Sequence, residues 1–164
     1  MEALFKALQQ PEYVHVLLNH LPIIGLATGL LVLLIAFFQK SRSTASAAFG
    51  VIFLMSLSVI PVSEFGEKAV DQVEGLMDKT GRSWLNEHGS RADRIEWLYF
   101  ATAAAAFGGL LAPRFLPKCT PFFLWGTLLI GSAALAGGIW TASAGGKIMH
   151  REFRYTLPIA EDRT

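Results

Sequence analysis

Cysteine and charge are both scarce in this sequence of 164 residues. The one cysteine, Cys119, excludes an intrachain disulfide and any site built from several thiolates, such as a zinc ribbon or an iron–sulfur cluster. Charged residues make up 16% of the chain, and their near balance leaves a net charge of +1, which gives no reason to expect nucleic acid as a partner. A metal site in this protein must therefore use nitrogen and oxygen ligands.

Apolar residues are abundant instead: 52% of the chain is hydrophobic and the mean hydropathy is +0.43, far from the profile of a soluble domain. Crossing about 30 Å of hydrocarbon takes roughly 20 mostly apolar residues in a helix. Four such runs cover residues 21–38, 45–62, 95–112 and 122–144. These runs are too long for membrane-spanning strands, and their side chains do not alternate between apolar and polar as those of such strands do. The sequence predicts an all-α fold, an integral membrane four-helix bundle that forms a single domain over residues 1–164.

The connections between the spans are very unequal in length. Two are short turns, whereas residues 63–94 form a long excursion and residues 145–164 a tail. An even number of spans places the N-terminus, the excursion and the tail on one side of the membrane. Within the excursion an apolar stripe recurs at helical spacing, which predicts an amphipathic helix lying on the membrane surface or over the mouth of the bundle.

Basic residues in the two short turns set the predicted orientation. Lys40, Arg42, Arg114 and Lys118 lie beside helix ends with no acidic residue among them. Charge in short loops near helix ends carries the most weight in the positive-inside rule. We therefore expect a multi-pass protein of the prokaryotic inner membrane with both termini in the periplasm.

The histidines fall on the same side as the termini. His20 lies about 27 Å along the helix from the far end of the first span, which places it at the outer edge of the hydrocarbon. His15 lies five residues earlier, about 140° around the helix, so the two cannot easily bind one ion. The sequence therefore predicts an interfacial role for His15, and it predicts ligands at His20, His88 and His150.

Groups around these histidines favour a haem. Arg91 and Arg94 follow His88, and arginines can neutralise the carboxylates of a haem whose iron is bound by imidazole. After the fourth span, a Gly-Gly pair is predicted to end the helix, so that His150 folds back toward His20. The first hypothesis is a membrane redox protein that binds haem b near the outer face and passes electrons between the quinone pool and a periplasmic carrier.

Two alternatives stay open. Histidines with carboxylates suit iron, copper or zinc, and the predicted ligands of such a site are His20, His88, His150, Glu67 and Glu152. The second alternative is a cofactor-free accessory or assembly subunit that docks to a larger respiratory complex through its apolar faces. In the redox hypotheses the protein is an electron-transfer component and not a stand-alone enzyme.

Four segments together carry a resemblance to a known family. They are NHLPIIG at residues 19–25, EFGEKA at residues 64–69, the histidine ahead of the third span, and GGKIMHREF at residues 145–153. With these segments the whole chain resembles an uncharacterised prokaryotic family of four-helix membrane proteins related to domain of unknown function 2231. The resemblance implies that the family's characteristic polar positions are His20, Glu67, His88, His150 and Glu152. It also implies that the partners are respiratory membrane proteins.

Overall fold

The computed structural model describes residues 1–155, and every regular element in that range is helical. The α-helices are α1 (Glu2–Ala7), α2 (Pro11–Leu18), α3 (Leu26–Gln39), α4 (Arg42–Leu57), α5 (Val59–Glu74), α6 (Lys79–Phe115) and α7 (Thr120–Met149). A π-helical turn at Leu21–Gly25 joins α2 to α3, and 3-10 turns lie at Pro117–Cys119 and Arg151–Phe153.

Four helical stretches are long and apolar enough to cross a membrane. They are Pro11–Gln39, Arg42–Glu74, Lys79–Phe115 and Pro117–Met149, and each contains one of the four predicted apolar runs. The second stretch has 33 residues and is about 50 Å long. That exceeds the hydrocarbon thickness of about 30 Å, so the helices continue beyond it. The all-helical class and the four candidate spans are thus confirmed.

The predicted separate surface helix in residues 63–94 is not confirmed. The chain continues from α5 to Glu74, turns, and begins α6 at Lys79, so the excursion consists of the ends of two long helices. The apolar stripe that suggested a surface helix includes Ala69, which is buried. Because α5 packs against α2, protein and not lipid covers part of this stripe.

The long helices contact one another in a closed ring. α3 packs against α4, α4 against α6, α6 against α7, and α7 against α3. Their shared interior is apolar, with Leu26, Leu33, Phe49, Ile52, Tyr99, Ala106 and Ala134 in one cluster. Small residues let the helices approach closely, as membrane helices commonly do. At Gly109, an added Cβ would lie 2.5 Å from the buried ring of Phe49.

A carboxylate joins the start of α6 to the end of α7. Asp78 is the N-cap of α6 and accepts a hydrogen bond of 2.7 Å from the Gly81 N–H. Arg154 donates to both Asp78 oxygens, at 2.8 and 2.9 Å, and to the carbonyls of Lys147 and Ile148 at the end of α7. These contacts satisfy polar groups at two helix ends that otherwise lack intrahelical partners.

We predict opposite effects of alanine at two glycines. Gly109→Ala should lower the free energy of unfolding by about 1–3 kcal/mol, because its Cβ would overlap Phe49. Gly50→Ala is the matched control, since nothing lies within 4 Å of its added Cβ, and it should stabilise by about 0.5–1 kcal/mol. Unfolding in mixed detergent micelles, followed by circular dichroism, measures both. Equal effects of the two substitutions would contradict the packing described here.

We also predict acid sensitivity at the junction of α6 and α7. The Arg154 guanidinium and the Gly81 N–H hold the pKa of Asp78 below its usual value. A lowered carboxyl pKa contributes stability above the unfolded pKa of about 3.9, and that stability is lost as the pH falls through the folded pKa. Hydrogen exchange at residues 147–154, corrected for intrinsic rates, should therefore stay slow at neutral pH and increase only in acid. In the Asp78→Asn variant, hydrogen exchange at residues 147–154 should be fast at neutral pH as well as in acid.

Candidate metal centre

Two histidines from opposite halves of the chain lie side by side. His15 is on α2 and His88 is on α6, and their ring centroids are 6.2 Å apart with an interplanar angle of 89°. Both residues are half-buried. Two imidazole nitrogens that bind one metal ion from opposite sides at about 2 Å each would hold their ring centroids roughly 6 Å apart, whereas a tetrahedral ion would bring the centroids closer together. The observed separation therefore matches a shared ion.

A backbone carbonyl holds His15 against α5. The Nδ1 atom of His15 lies 2.9 Å from the carbonyl oxygen of Val62. The ring rests on Gly66, where an added Cβ would lie only 2.9 Å from Nδ1. A larger residue at position 66 would force the ring away from this carbonyl.

The same arrangement holds His88 against α7. The Nδ1 atom of His88 lies 3.0 Å from the carbonyl oxygen of Thr141, and the ring rests on Gly145 at 3.1 Å from an added Cβ. In both halves the accepting carbonyl belongs to the residue four positions before the glycine. The carbonyl and the glycine thus lie on one helix face, one turn apart.

These carbonyl contacts determine which ring nitrogen is available. A carbonyl oxygen only accepts, so Nδ1 of each neutral imidazole carries the proton and Nε2 carries a lone pair. Neither Nε2 has a hydrogen-bond partner in the part of the chain that the structure describes. Metal-binding histidines are commonly oriented in this way, with the non-ligating nitrogen donating to a carbonyl. Both rings are therefore prepared to bind through Nε2.

A buried ion pair lies one turn along α6 from His88. Arg91 is 7% exposed and donates from Nε to Glu87 at 2.8 Å, and from Nη1 to the Trp140 carbonyl at 2.8 Å. Its guanidinium also stacks on the Trp140 ring at 4.3 Å. Arg91 is thus held in place by groups of the protein itself.

Several buried polar atoms near the two histidines have no partner. Within residues 1–155 five such side-chain atoms occur. Glu12 Oε2 and Trp84 Nε1 belong to residues about one turn before His15 and His88 on the same helices, and Thr141 Oγ1 belongs to the residue whose carbonyl bonds His88. Glu12 precedes His15 on α2, and Trp84 precedes His88 on α6. An unpaired buried polar group lowers the stability of the fold by about 1–3 kcal/mol. Three such groups near one pair of histidines therefore require an explanation.

The structure brings only His88 of the three predicted histidine ligands into this pair. The ring of His20 is exposed and its Nδ1 lies 3.0 Å from the carbonyl of Val16 on its own helical turn. His150 is also exposed and bonds Glu152 at 2.9 Å. The Glu152 backbone N–H and the His150 ring lower the pKa of the Glu152 carboxyl, so His150 and Glu152 form a surface pair.

The remaining predicted site residues also differ in position. Glu67 is exposed on α5, and Arg94 is exposed on α6. Arg91 is buried beside Glu87, where its charge is already paired. The Gly-Gly pair does not end α7, because Gly145 and Gly146 continue as helix to Met149. Among the residues described, no three side chains of the histidine, cysteine, aspartate and glutamate types are grouped to hold a metal.

Sequence reasoning missed His15 and both glycines. The angle between His15 and His20 correctly separated those two residues, but the partner of His15 lies on another helix. One signal was present in the sequence: a lysine follows two residues after each glycine, at Lys68 and Lys147. Compared between halves, this repeated Gly-x-Lys pattern would have aligned α5 with α7, the two helices that carry the accepting carbonyls.

No family model, no curated protein and no solved structure matches the chain. The resemblance to the family related to domain of unknown function 2231 therefore stays a prediction. The geometry of His15 and His88 has to support any functional conclusion by itself.

We predict that nitrogen NMR of histidine-labelled protein in detergent shows His15 and His88 as the Nδ1–H tautomer. Gly66→Ala should shift the His15 signals toward the other tautomer or a mixture, because the new methyl group displaces the ring from the Val62 carbonyl. The His88 signals should keep their tautomer in this variant. Gly75→Ala is the control, since its added Cβ meets nothing within 4 Å. An unchanged His15 spectrum in Gly66→Ala would contradict the assignment.

Proposed function

We propose that this protein is a membrane redox protein that binds the iron of a b-type haem between His15 and His88 and takes part in respiratory electron transfer. The observation that carries the proposal is the pair of imidazoles, each with Nδ1 bonded to a carbonyl and Nε2 unpaired. Two imidazoles are one of the ligand sets that fit the iron of a b-type haem. His15 replaces His20 and His150 in the ligand set that the sequence predicted.

The depth of the pair supports a role at the membrane edge. The accepting carbonyls belong to Val62 and Thr141, which lie at or near the ends of the apolar runs 45–62 and 122–144. The proposed bundle therefore carries its cofactor close to the outer boundary of the hydrocarbon. With both termini in the periplasm of a prokaryotic inner membrane, this position is within reach of lipid-soluble quinol and of a periplasmic carrier.

A haem held by His15 and His88 would supply one-electron transfer. A quinol would be oxidised to quinone, its two protons would be released to water on the periplasmic side, and its two electrons would pass one at a time to an oxidised one-electron carrier in the periplasm. The contribution of the chain is to hold the two imidazoles in one tautomer and to surround them with helices. Neither ligand has to change its proton, because Nδ1 of each ring donates to a backbone carbonyl.

We predict that detergent-purified protein carries haem, or takes it up, as shown by a Soret band and by pyridine haemochrome analysis. His15→Ala and His88→Ala should each weaken haem binding by at least about tenfold to 100-fold, the loss typical of disturbing even an outer-shell partner. His20→Ala and His150→Ala are the matched controls and should bind haem like the wild type, because their rings are exposed and have only local partners.

Other outcomes separate the alternatives. A colourless protein that binds stoichiometric iron, copper or zinc through His15 and His88 would replace haem by a metal ion at the same pair. Loss of binding in His20→Ala or His150→Ala, but not in His15→Ala, would overturn the ligand assignment. A protein that binds neither haem nor metal would leave the accessory-subunit alternative, in which these substitutions affect only assembly with other respiratory subunits.

A further inference from the structure

We propose that an anionic phospholipid binds in a groove between α3, α4 and α7, at the end of the bundle opposite the two histidines. Residues from the end of α3, the turn after it, the start of α4 and the start of α7 line this groove. Along α6, His88 is separated by about 40 Å from Phe115, where the chain turns toward α7. The groove is therefore distinct from the site of the proposed function and does not depend on it.

The inner part of the groove is apolar. The Phe37 ring packs edge-on against the rings of Phe38 and Trp125, with centroids 5.4 and 5.2 Å apart, and Leu124 contributes from α7. The cavity has a volume of about 400 Å³, within the range of about 300–1,000 Å³ that is common for ligand sites. Phe38 is 73% exposed, so the described protein leaves this apolar surface open to a hydrocarbon chain.

The outer part of the groove is basic. Lys40 and Arg42 both line it, and both are exposed. Neither side chain has a hydrogen-bond or ion-pair partner among residues 1–155. Ser41 lies between them, but its hydroxyl caps α4 by bonding the N–H and the hydroxyl of Thr44 at 3.3 and 2.8 Å. The two cations are thus the groups in this turn that are available to a ligand.

The sequence places no acidic residue at this end of the bundle. Residues 21–63 and 97–151 contain neither aspartate nor glutamate, and they include both short turns. The second turn adds two more basic residues, Arg114 and Lys118. Like charges that line one groove repel each other, and an anion placed between them replaces this repulsion by attraction. The groove is therefore complementary in charge to an anionic ligand.

The position of the groove along the spans favours a lipid as that ligand. The first candidate span ends at Gln39 and the second begins at Arg42. Lys40 and Arg42 thus lie where the apolar surface ends, at the level of lipid phosphates, while Phe37 and Leu124 lie within the spans. Basic pockets between membrane helices are known to bind anionic lipid head groups. A free phosphate would match the charges but would leave the apolar part of the groove uncovered.

The backbone fixes Lys40 at the edge of the groove. Its φ of 51° is in the left-handed region, and the N–H groups of Lys40 and Ser41 bond the carbonyls of Phe37 and Ala36 at 3.2 and 3.1 Å. These bonds close the last turn of α3 and occupy carbonyls that would otherwise attract a cation. Asparagine also adopts this backbone conformation, so it removes the charge with little change to the turn.

The test is native mass spectrometry of the full chain in a neutral detergent. Phosphatidylglycerol and phosphatidylcholine with the same acyl chains are titrated separately, and the fraction of monomer that carries one lipid is measured. The wild type should bind phosphatidylglycerol more tightly. The double variant Lys40→Asn with Arg42→Gln should reduce this preference at least about tenfold, the loss expected when one hydrogen bond between charged groups is removed.

Two controls make the result specific. The double variant Arg114→Gln with Lys118→Gln removes the same charge from the same end of the bundle, at residues that do not line the groove, and it should keep the preference of the wild type. Soluble glycerol phosphate carries the charge of a head group without an acyl chain. At the same concentration as the lipid, it should not displace phosphatidylglycerol.

Each contrary outcome overturns the lipid site for a different reason. Equal binding of the two lipids by the wild type would remove the charge recognition. Equal loss of preference in both double variants would indicate general attraction to a basic surface. Displacement by glycerol phosphate would assign the groove to a soluble phosphate compound. A dimer that dissociates in the Lys40→Asn, Arg42→Gln variant would show that a second copy of the chain covers the groove. None of these results bears on His15 and His88.

Discussion

The bonds from the two histidine Nδ1 atoms to backbone carbonyls are the interaction on which the rest of the site depends. Without them each imidazole could exchange tautomers and rotate, and the lone pair on Nε2 would have no fixed direction. The carbonyls of Val62 and Thr141 are themselves fixed by the helices that contain them. The position of each ring is therefore set by secondary structure, which is more rigid than any side-chain partner would be.

The glycines explain why the rings can reach these carbonyls. Gly66 and Gly145 leave space on the surface of α5 and α7 that a methyl group would fill. Each half of the chain thus supplies one histidine and one helix with a carbonyl and a glycine one turn apart. Because His15 and His88 come from different halves, the pair forms only when the two halves pack against each other. The candidate centre is a product of tertiary packing and not of any local motif.

The sequence predicted the spans but not the pairing of His15 with His88, for physical reasons. A run of about 20 apolar residues has few alternatives to a membrane helix, so composition was sufficient. The stripe containing Ala69 was ambiguous, because amphipathicity does not distinguish lipid from a neighbouring helix as the apolar surface. The pairing of His15 with His88 depends on which helices pack together. No local motif around either histidine specifies that packing, and the repeated Gly-x-Lys pattern marks only α5 and α7.

Arg91 and Trp84 differ in how far the surrounding protein satisfies their polar groups. This arginine is buried and its charge is fully engaged by Glu87, by the Trp140 carbonyl and by an aromatic ring, as the high energy of an unpaired buried charge requires. Trp84, one helix turn on the other side of His88, leaves its N–H unpaired in the same interior. The packing thus pairs the group whose burial without a partner would cost more and leaves unpaired the group whose burial costs less.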